Sequence, residues 1–278
     1  MTVERWHRVR AALPEVGGRF ADLLTGVPDP HRRALGAWTI GETASHVGMI
    51  ALMYTAMIRG DGGPLPLPGL AEPIDAASVD TISRLNAMAL ELYPERDPVR
   101  LAARLRADIA EVLLVSADLD SEKPVWWLGG SRVPVAGVLA HLVNEMLLHG
   151  LDIARVLGRP WRVPARLEAL FLELFLFGVA RNDMGRLLAD ATPSPRRIAV
   201  EFRSRYTTPA VLALQDGRLR CEEPDGTADV RLRFDPSMLV PMMFGRVSRV
   251  RAVLTGGVRI GGPRPWLLPE FLRTVRMP

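Results

Sequence analysis

The segment His141-Leu-Val-Asn-Glu145-Met-Leu-Leu-His149-Gly-Leu-Asp152-Ile-Ala-Arg155 reads as a helix that carries its chemistry on one side. Residues four apart on an α-helix sit one above the other, so Glu145 and His149 project from the same face and can reach one ion. His141 lies a further turn back, rotated by about 40° per four-residue step, as a candidate ligand or supporting group. Asp152 and Arg155 follow one turn apart. They can orient His149 or bind a carboxylate, and an ordinary i,i+3 surface ion pair explains them equally well.

Catalytic zinc sites take three protein ligands, commonly His mixed with carboxylate, and keep one position open. A third ligand must come from another element. His7 and His31 fall near the chain start and in a loop, whereas His46 falls inside an amphipathic helix that a four-helix bundle packs beside Glu145 and His149. Each signal is weak alone. Glu-x3-His also arises as a surface pair, and a single histidine on an apolar helix face is more often a hydrogen-bonded core residue. The two reinforce each other only where the helices touch.

Outward from this segment the first two-thirds of the chain reads as helices, over Val3 to Leu24, Thr39 to Arg59, Asp75 to Leu119 and Pro134 to Leu157. Thr39 with Glu42 forms a capping box, and His46 falls two turns inside. The Gly- and Pro-rich segment Asp61 to Pro73 is expected to be a loop. Lys123 to Val133 should be another, carrying Trp126 and Trp127, which either pack on the bundle end or wall a substrate, with Pro134 opening the next helix. A further helix is expected over Pro164 to Leu188.

Beyond it the period changes to two. Arg197 to Ser204 alternates like a strand, Val211 to Gln215 and Arg218 to Glu222 flank Asp216-Gly217 as a hairpin, and Ala228 to Phe234 alternates again. Asp235-Pro236 reads as a helix start, and a last helix is expected over Pro263 to Val275. These patterns divide the chain into a helical domain, 1–190, and a small α+β domain, 191–278. A cut near Ala191 to Pro195 should then release two folded pieces.

Composition excludes several classes. At 48% hydrophobic and 24% charged residues the chain is neither disordered nor fibrous. The formal charge of +4 is spread among interleaved Arg, Asp and Glu, so no basic stripe for nucleic acid emerges, and only Arg246 to Arg251 is locally basic. The most apolar stretch, Leu167 to Ala180, is interrupted by Glu168 and Glu173 and is too short to span a bilayer. Neither a membrane nor a nucleic acid is an expected partner. One cysteine, Cys221, rules out an internal disulfide framework and suits a cytoplasmic enzyme.

The segments Trp38-Thr-Ile-Gly-Glu42-Thr-Ala-Ser-His46-Val and Glu145-Met-Leu-Leu-His149-Gly-Leu-Asp152-Ile-Ala-Arg155, with Gly158-Arg-Pro-Trp161, resemble the mycothiol-dependent maleylpyruvate isomerase family of DinB-like four-helix metalloenzymes. His46, Glu145 and His149 match the three metal-ligand positions that the family pattern implies. Ala228-Asp-Val-Arg-Leu-Arg-Phe234 and Leu254-Thr-Gly-Gly-Val-Arg-Ile-Gly-Gly262 are similar, more loosely, to the sterol-carrier-like domain that often follows the bundle.

The resemblance implies a divalent metal, zinc by choice of ligands, and mycothiol as cofactor, bound to the metal as thiolate. It also implies a small electrophilic substrate. Reversible addition to an activated alkene would isomerise it; permanent transfer of sulfur would conjugate it. Two other readings stay open: a metal-dependent hydrolase using bound water, and a non-catalytic carrier of lipid or another small molecule, with Met238, Met242, Met243 and Phe244 in an apolar groove.

Overall fold

The computed structural model describes residues 3–60, 64–189 and 196–275. Helix α1 (Val3–Thr25) runs into a short hairpin, β1 (Arg33–Leu35) and β2 (Trp38–Thr39), that the sequence pattern did not announce. Helix α2 (Ile40–Arg59) starts at the capping box expected of it: the Thr39 hydroxyl accepts from the Glu42 N–H, and the Glu42 carboxylate accepts from the Thr39 N–H.

A short helix, α3 (Ala71–Asp75), starts inside the segment Asp61 to Pro73 expected to be a loop, and the single helix expected over Asp75 to Leu119 is two, α4 (Ile82–Leu92) and α5 (Pro98–Val115). Pro94 and Pro98 account for the break: proline lacks the N–H that a helix interior needs, and Asp97 caps α5 with Pro98 at its first position. The expected loop Lys123 to Val133 holds a hairpin, β3 (Pro124–Trp126) paired with β4 (Arg132–Pro134). Helix α6 (Val135–Leu157) starts after Pro134, which sits in the cap position rather than the first turn.

The next helical stretch is α7 (Ala165–Leu170), a π-helical turn (Phe171–Leu176) and α8 (Phe177–Asn182), so it ends six residues before Leu188. Helices α1 and α2 both pack on α5 and α6. Among the described residues no helix is long and apolar enough to cross a membrane.

The C-terminal part holds a five-stranded sheet. Its strands are β5 (Ile198–Arg203), β6 (Ala210–Gln215), β7 (Arg218–Glu222), β8 (Val230–Phe234) and β9 (Val258–Gly261), in the order β7-β6-β5-β8-β9. Only β5 and β8 are parallel. The β6–β7 turn has positive φ at both Asp216 (49°) and Gly217 (74°), the backbone that matches the twist of a two-residue hairpin. Helices α9 (Pro236–Met243), α10 (Arg249–Leu254) and α11 (Leu268–Thr274) complete this part. The last is shorter than expected because a 3-10 turn at Pro265–Leu267 precedes it.

The sheet packs against α8 through β6 and β7, and α7 against α9. Phe177 meets Phe202 edge-on at 5.7 Å, and Glu173 accepts from the Thr208 N–H (2.6 Å) while pairing with Arg5 (2.9 Å). One apolar core therefore runs from α1 into the sheet. The boundary expected at Ala191 to Pro195 lies outside the described residues.

Candidate metal centre

The packing of α2 on α6 brings His46 to Glu145 and His149. All three are buried, and one ligand atom from each lies within 4.8 Å of the others. Both imidazoles turn Nε2 toward the same carboxylate oxygen: His149 Nε2 is 3.2 Å and His46 Nε2 3.4 Å from Glu145 Oε2. The rings meet edge-on with centroids 5.2 Å apart, and the Trp38 indole lies 5.0 Å from His46.

The ionisation states follow from burial set against these neighbours. Burial pushes the His46 pKa down, with Glu145 working against it. Burial opposes charge on His149 as well, but the carboxylates of Asp152 and Glu145 outweigh it and raise that pKa. Burial would raise Glu145 too, yet hydrogen bonding from His149 and His46 holds it well below the usual carboxylate range. A buried carboxylate and two imidazoles aimed at one point form a donor set that suits a cation.

The surroundings orient each member. Asp152 Oδ2 lies 3.3 Å from His149 Nδ1, which favours the proton on that atom and leaves the Nε2 lone pair facing the cluster. Asp152 is held in turn by Arg246, at 3.2 Å to Oδ1 and 2.7 Å to Oδ2. Arg155 does not reach Asp152; it donates to the Arg246 carbonyl (3.1 Å). His46 Nδ1 is buried and has no hydrogen-bond partner in the protein.

His141 stands behind Glu145, not between the other three. Trp127 Nε1 can only donate, so the Tyr54 oxygen accepts it (3.0 Å) and the Tyr54 hydroxyl gives its own proton to His141 Nδ1 (2.9 Å). Burial lowers the His141 pKa, and the neutral ring then keeps its proton on Nε2, 3.6 Å from Glu145 Oε1. Phe175, from the π-helical turn, lies tilted against His141 with centroids 4.5 Å apart. Gly150 directly follows His149 because the Trp161 indole occupies the space a Cβ would need, its Nε1 donating to the Leu147 carbonyl (2.8 Å).

Residues 10–154 match the family model described as the mycothiol maleylpyruvate isomerase N-terminal domain. The chain belongs to the mycothiol maleylpyruvate isomerase family. It is an enzyme of that family, and the likeness seen in its two motif segments holds.

Its fold is similar to that in a crystal structure of the mycothiol-dependent maleylpyruvate isomerase, at TM-score 0.50 and 15% identity over 94% of this chain and 96% of that one. A mutant of that isomerase matches at TM-score 0.53 and 13% identity over the same shares. The matched part of this chain pairs a helical N-terminal region with a C-terminal sheet. Sterol carrier protein 2 from Yarrowia lipolytica overlaps 33% of this chain and 87% of its own, at 18% identity, but a TM-score of 0.23 is too low to establish a shared fold. No curated protein matches the chain in sequence.

The sequence assigned no site role to three contributors, although Trp38 opens the first motif segment. Arg246 lies 94 residues from Asp152, Tyr54 lies on α2 without a motif, and Trp38 reaches the histidines only through the β1–β2 hairpin. The basic Arg246 to Arg251 run was the available signal for the first, but a charge run gives no partner.

Proposed function

We propose that the protein binds a divalent ion, zinc, through His46, Glu145 and His149 and uses it to activate mycothiol or a close small thiol against a small electrophile. The outcome is isomerisation of the substrate or transfer of sulfur to it. The observation that carries this reading is the convergence of two Nε2 atoms and one carboxylate oxygen in a buried cluster, in a chain of this family. Two imidazoles with one carboxylate suit zinc and leave a coordination position for an outside ligand. When bound, the ion supplies the positive charge that keeps a coordinated thiol ionised near neutral pH.

The chain's own residues do the rest. Asp152, pinned by Arg246, orients His149, and the Trp127–Tyr54–His141 relay holds a donor against Glu145. Trp38 lies against His46, and apolar walls surround the histidines. Arg155 borders a cleft with Asp152 and Gly36, which supports a contact with a polar part of cofactor or substrate. Cys221 is an unsuitable nucleophile: it sits on β7, and burial raises its thiol pKa.

In this reading the helical part, 1–190, is a DinB-like four-helix bundle built on α1, α2, α5 and α6. The rest, 191–278, is a sterol-carrier-like domain that supplies Arg246, and the enzyme works in the cytoplasm, where small thiols stay reduced. The test combines metal analysis with turnover. Wild type and Cys221→Ser should each hold about one divalent ion per chain and act only with added thiol; His149→Ala should lose both ion and activity. Turnover without thiol would favour hydrolysis by bound water. Stoichiometric metal in a His46→Ala, Glu145→Ala, His149→Ala triple variant would move the site elsewhere.

A further inference from the structure

A cavity of ≈ 340 Å3 opens beside the cluster. Its walls are overwhelmingly apolar, from Met49, Met53 and Met57 on α2 to Leu85, Leu187 and Leu219. The charged or basic side chains in its lining are His46, His141, Glu145, His149 and Arg246, with Tyr54, Ser83 and Asn86 the other polar ones. Among these described lining residues Arg246 is the one permanent cation, and Asp152 already neutralises it through two hydrogen bonds.

Zinc and Glu145 together would carry one net positive charge, so a dicarboxylate entering this space would shed the hydration of two charges against that one and an Arg246 already engaged by Asp152, with apolar walls around the rest. An uncharged apolar body gains free energy in proportion to the area it takes from water, and the flexible methionine thioethers adapt to its shape. A separate cavity of ≈ 370 Å3, bordered by Gly36, Asp152 and Arg155, meets the first at Leu35, Phe244 and Arg246. A hydroxyl-bearing cofactor therefore has polar surroundings outside the apolar cavity.

We propose that the electrophile this site accepts is uncharged and predominantly apolar, its body against Met53 and Leu187 and its reactive end at His46, Glu145 and His149. This rests on the cluster being a thiol-activating centre. Binding alone separates the two ideas.

Calorimetry on the zinc-loaded protein without thiol, using benzylideneacetone and maleate as neutral and dianionic probes, should show the neutral probe binding at least about tenfold more tightly. Met57→Arg, which puts a cation on a half-buried part of the wall, should narrow or reverse that ratio. Met53→Ala, which adds no charge, should weaken the neutral probe alone; circular dichroism and metal content verify the fold of both. Equal or tighter binding of maleate by wild type overturns the proposal. So does a thiol-dependent turnover that prefers the dicarboxylate, which would leave the thiol-activating centre intact. Absence of thiol dependence would remove that centre, and the calorimetric ratio would still decide the ligand class of the cavity.

Discussion

Asp152 faces the imidazole of His149, three residues back on α6, and the guanidinium of Arg246, 94 residues on, and its substitution separates structure from chemistry. Burial would raise its pKa, but His149 and Arg246 lower it, so it is anionic when it faces Nδ1 of His149. Asp152→Asn keeps the shape and removes the charge. Partners of this kind typically contribute about 10–100-fold to metal affinity, so chelator competition should show a loss of that order. Arg155→Ala, one turn away but bonded only to the Arg246 carbonyl, should leave metal affinity unchanged. Equal affinities in wild type and Asp152→Asn would show that the carboxylate does not orient the ligand.

At this scale the sequence was legible where spacing along one helix decides contact. Glu145, His149 and Asp152 share a face because they are separated by four and three residues, and the side chains do meet. His46 joins them only because α2 lies against α6, and a periodic pattern does not say which helices are neighbours.

At the scale of elements, α7 carries an uncompensated group. Glu168 is fully buried, neither oxygen has a hydrogen-bond partner in the protein, and burial raises its pKa well above 4.5. A carboxyl whose folded pKa is raised is no burden while it is protonated in both states, below the unfolded value. Above about 4.5 the unfolded chain releases the proton and the folded chain keeps it, so stability falls as pH rises toward the folded pKa. Thermal unfolding of Glu168→Gln should therefore show a flatter decline between pH 5 and the neutral range than wild type. Identical pH profiles would mean that Glu168 finds a partner in solution. The break between α4 and α5 belongs to this scale too: Pro94 and Pro98 were visible, but apolar periodicity continued through them and hid the turn.

For the whole molecule, the continuity of the core governs how the two parts behave when separated. The 1–190 and 191–278 division that we propose cuts across the Phe177–Phe202 contact, the Glu173–Thr208 bond and the Asp152–Arg246 pair. Expressed alone, 1–190 should keep its helices, expose the apolar faces of α7 and α8, and bind metal more weakly than the full chain. Adding the second piece in trans should restore metal affinity. A lone first piece with full affinity would show that Arg246 is dispensable to the cluster.

Local chemistry was sufficient for several features that depend on neighbours in the chain, though not for the β1–β2 and β3–β4 hairpins. The capping box at Thr39 and Glu42, the hairpin at Asp216 and Gly217, the change from helical to alternating period, and the paired Glu145 and His149 all follow from backbone geometry over a few residues. Tertiary structure alone decided what depends on residues far apart. It set Arg246 on Asp152, joined Tyr54 and Trp127 to His141, and brought His46, His141, Glu145, His149 and Arg246 into the lining of an apolar cavity. The physical reason is that side-chain periodicity says which face is buried, whereas the partner on that face is chosen by packing over the whole fold.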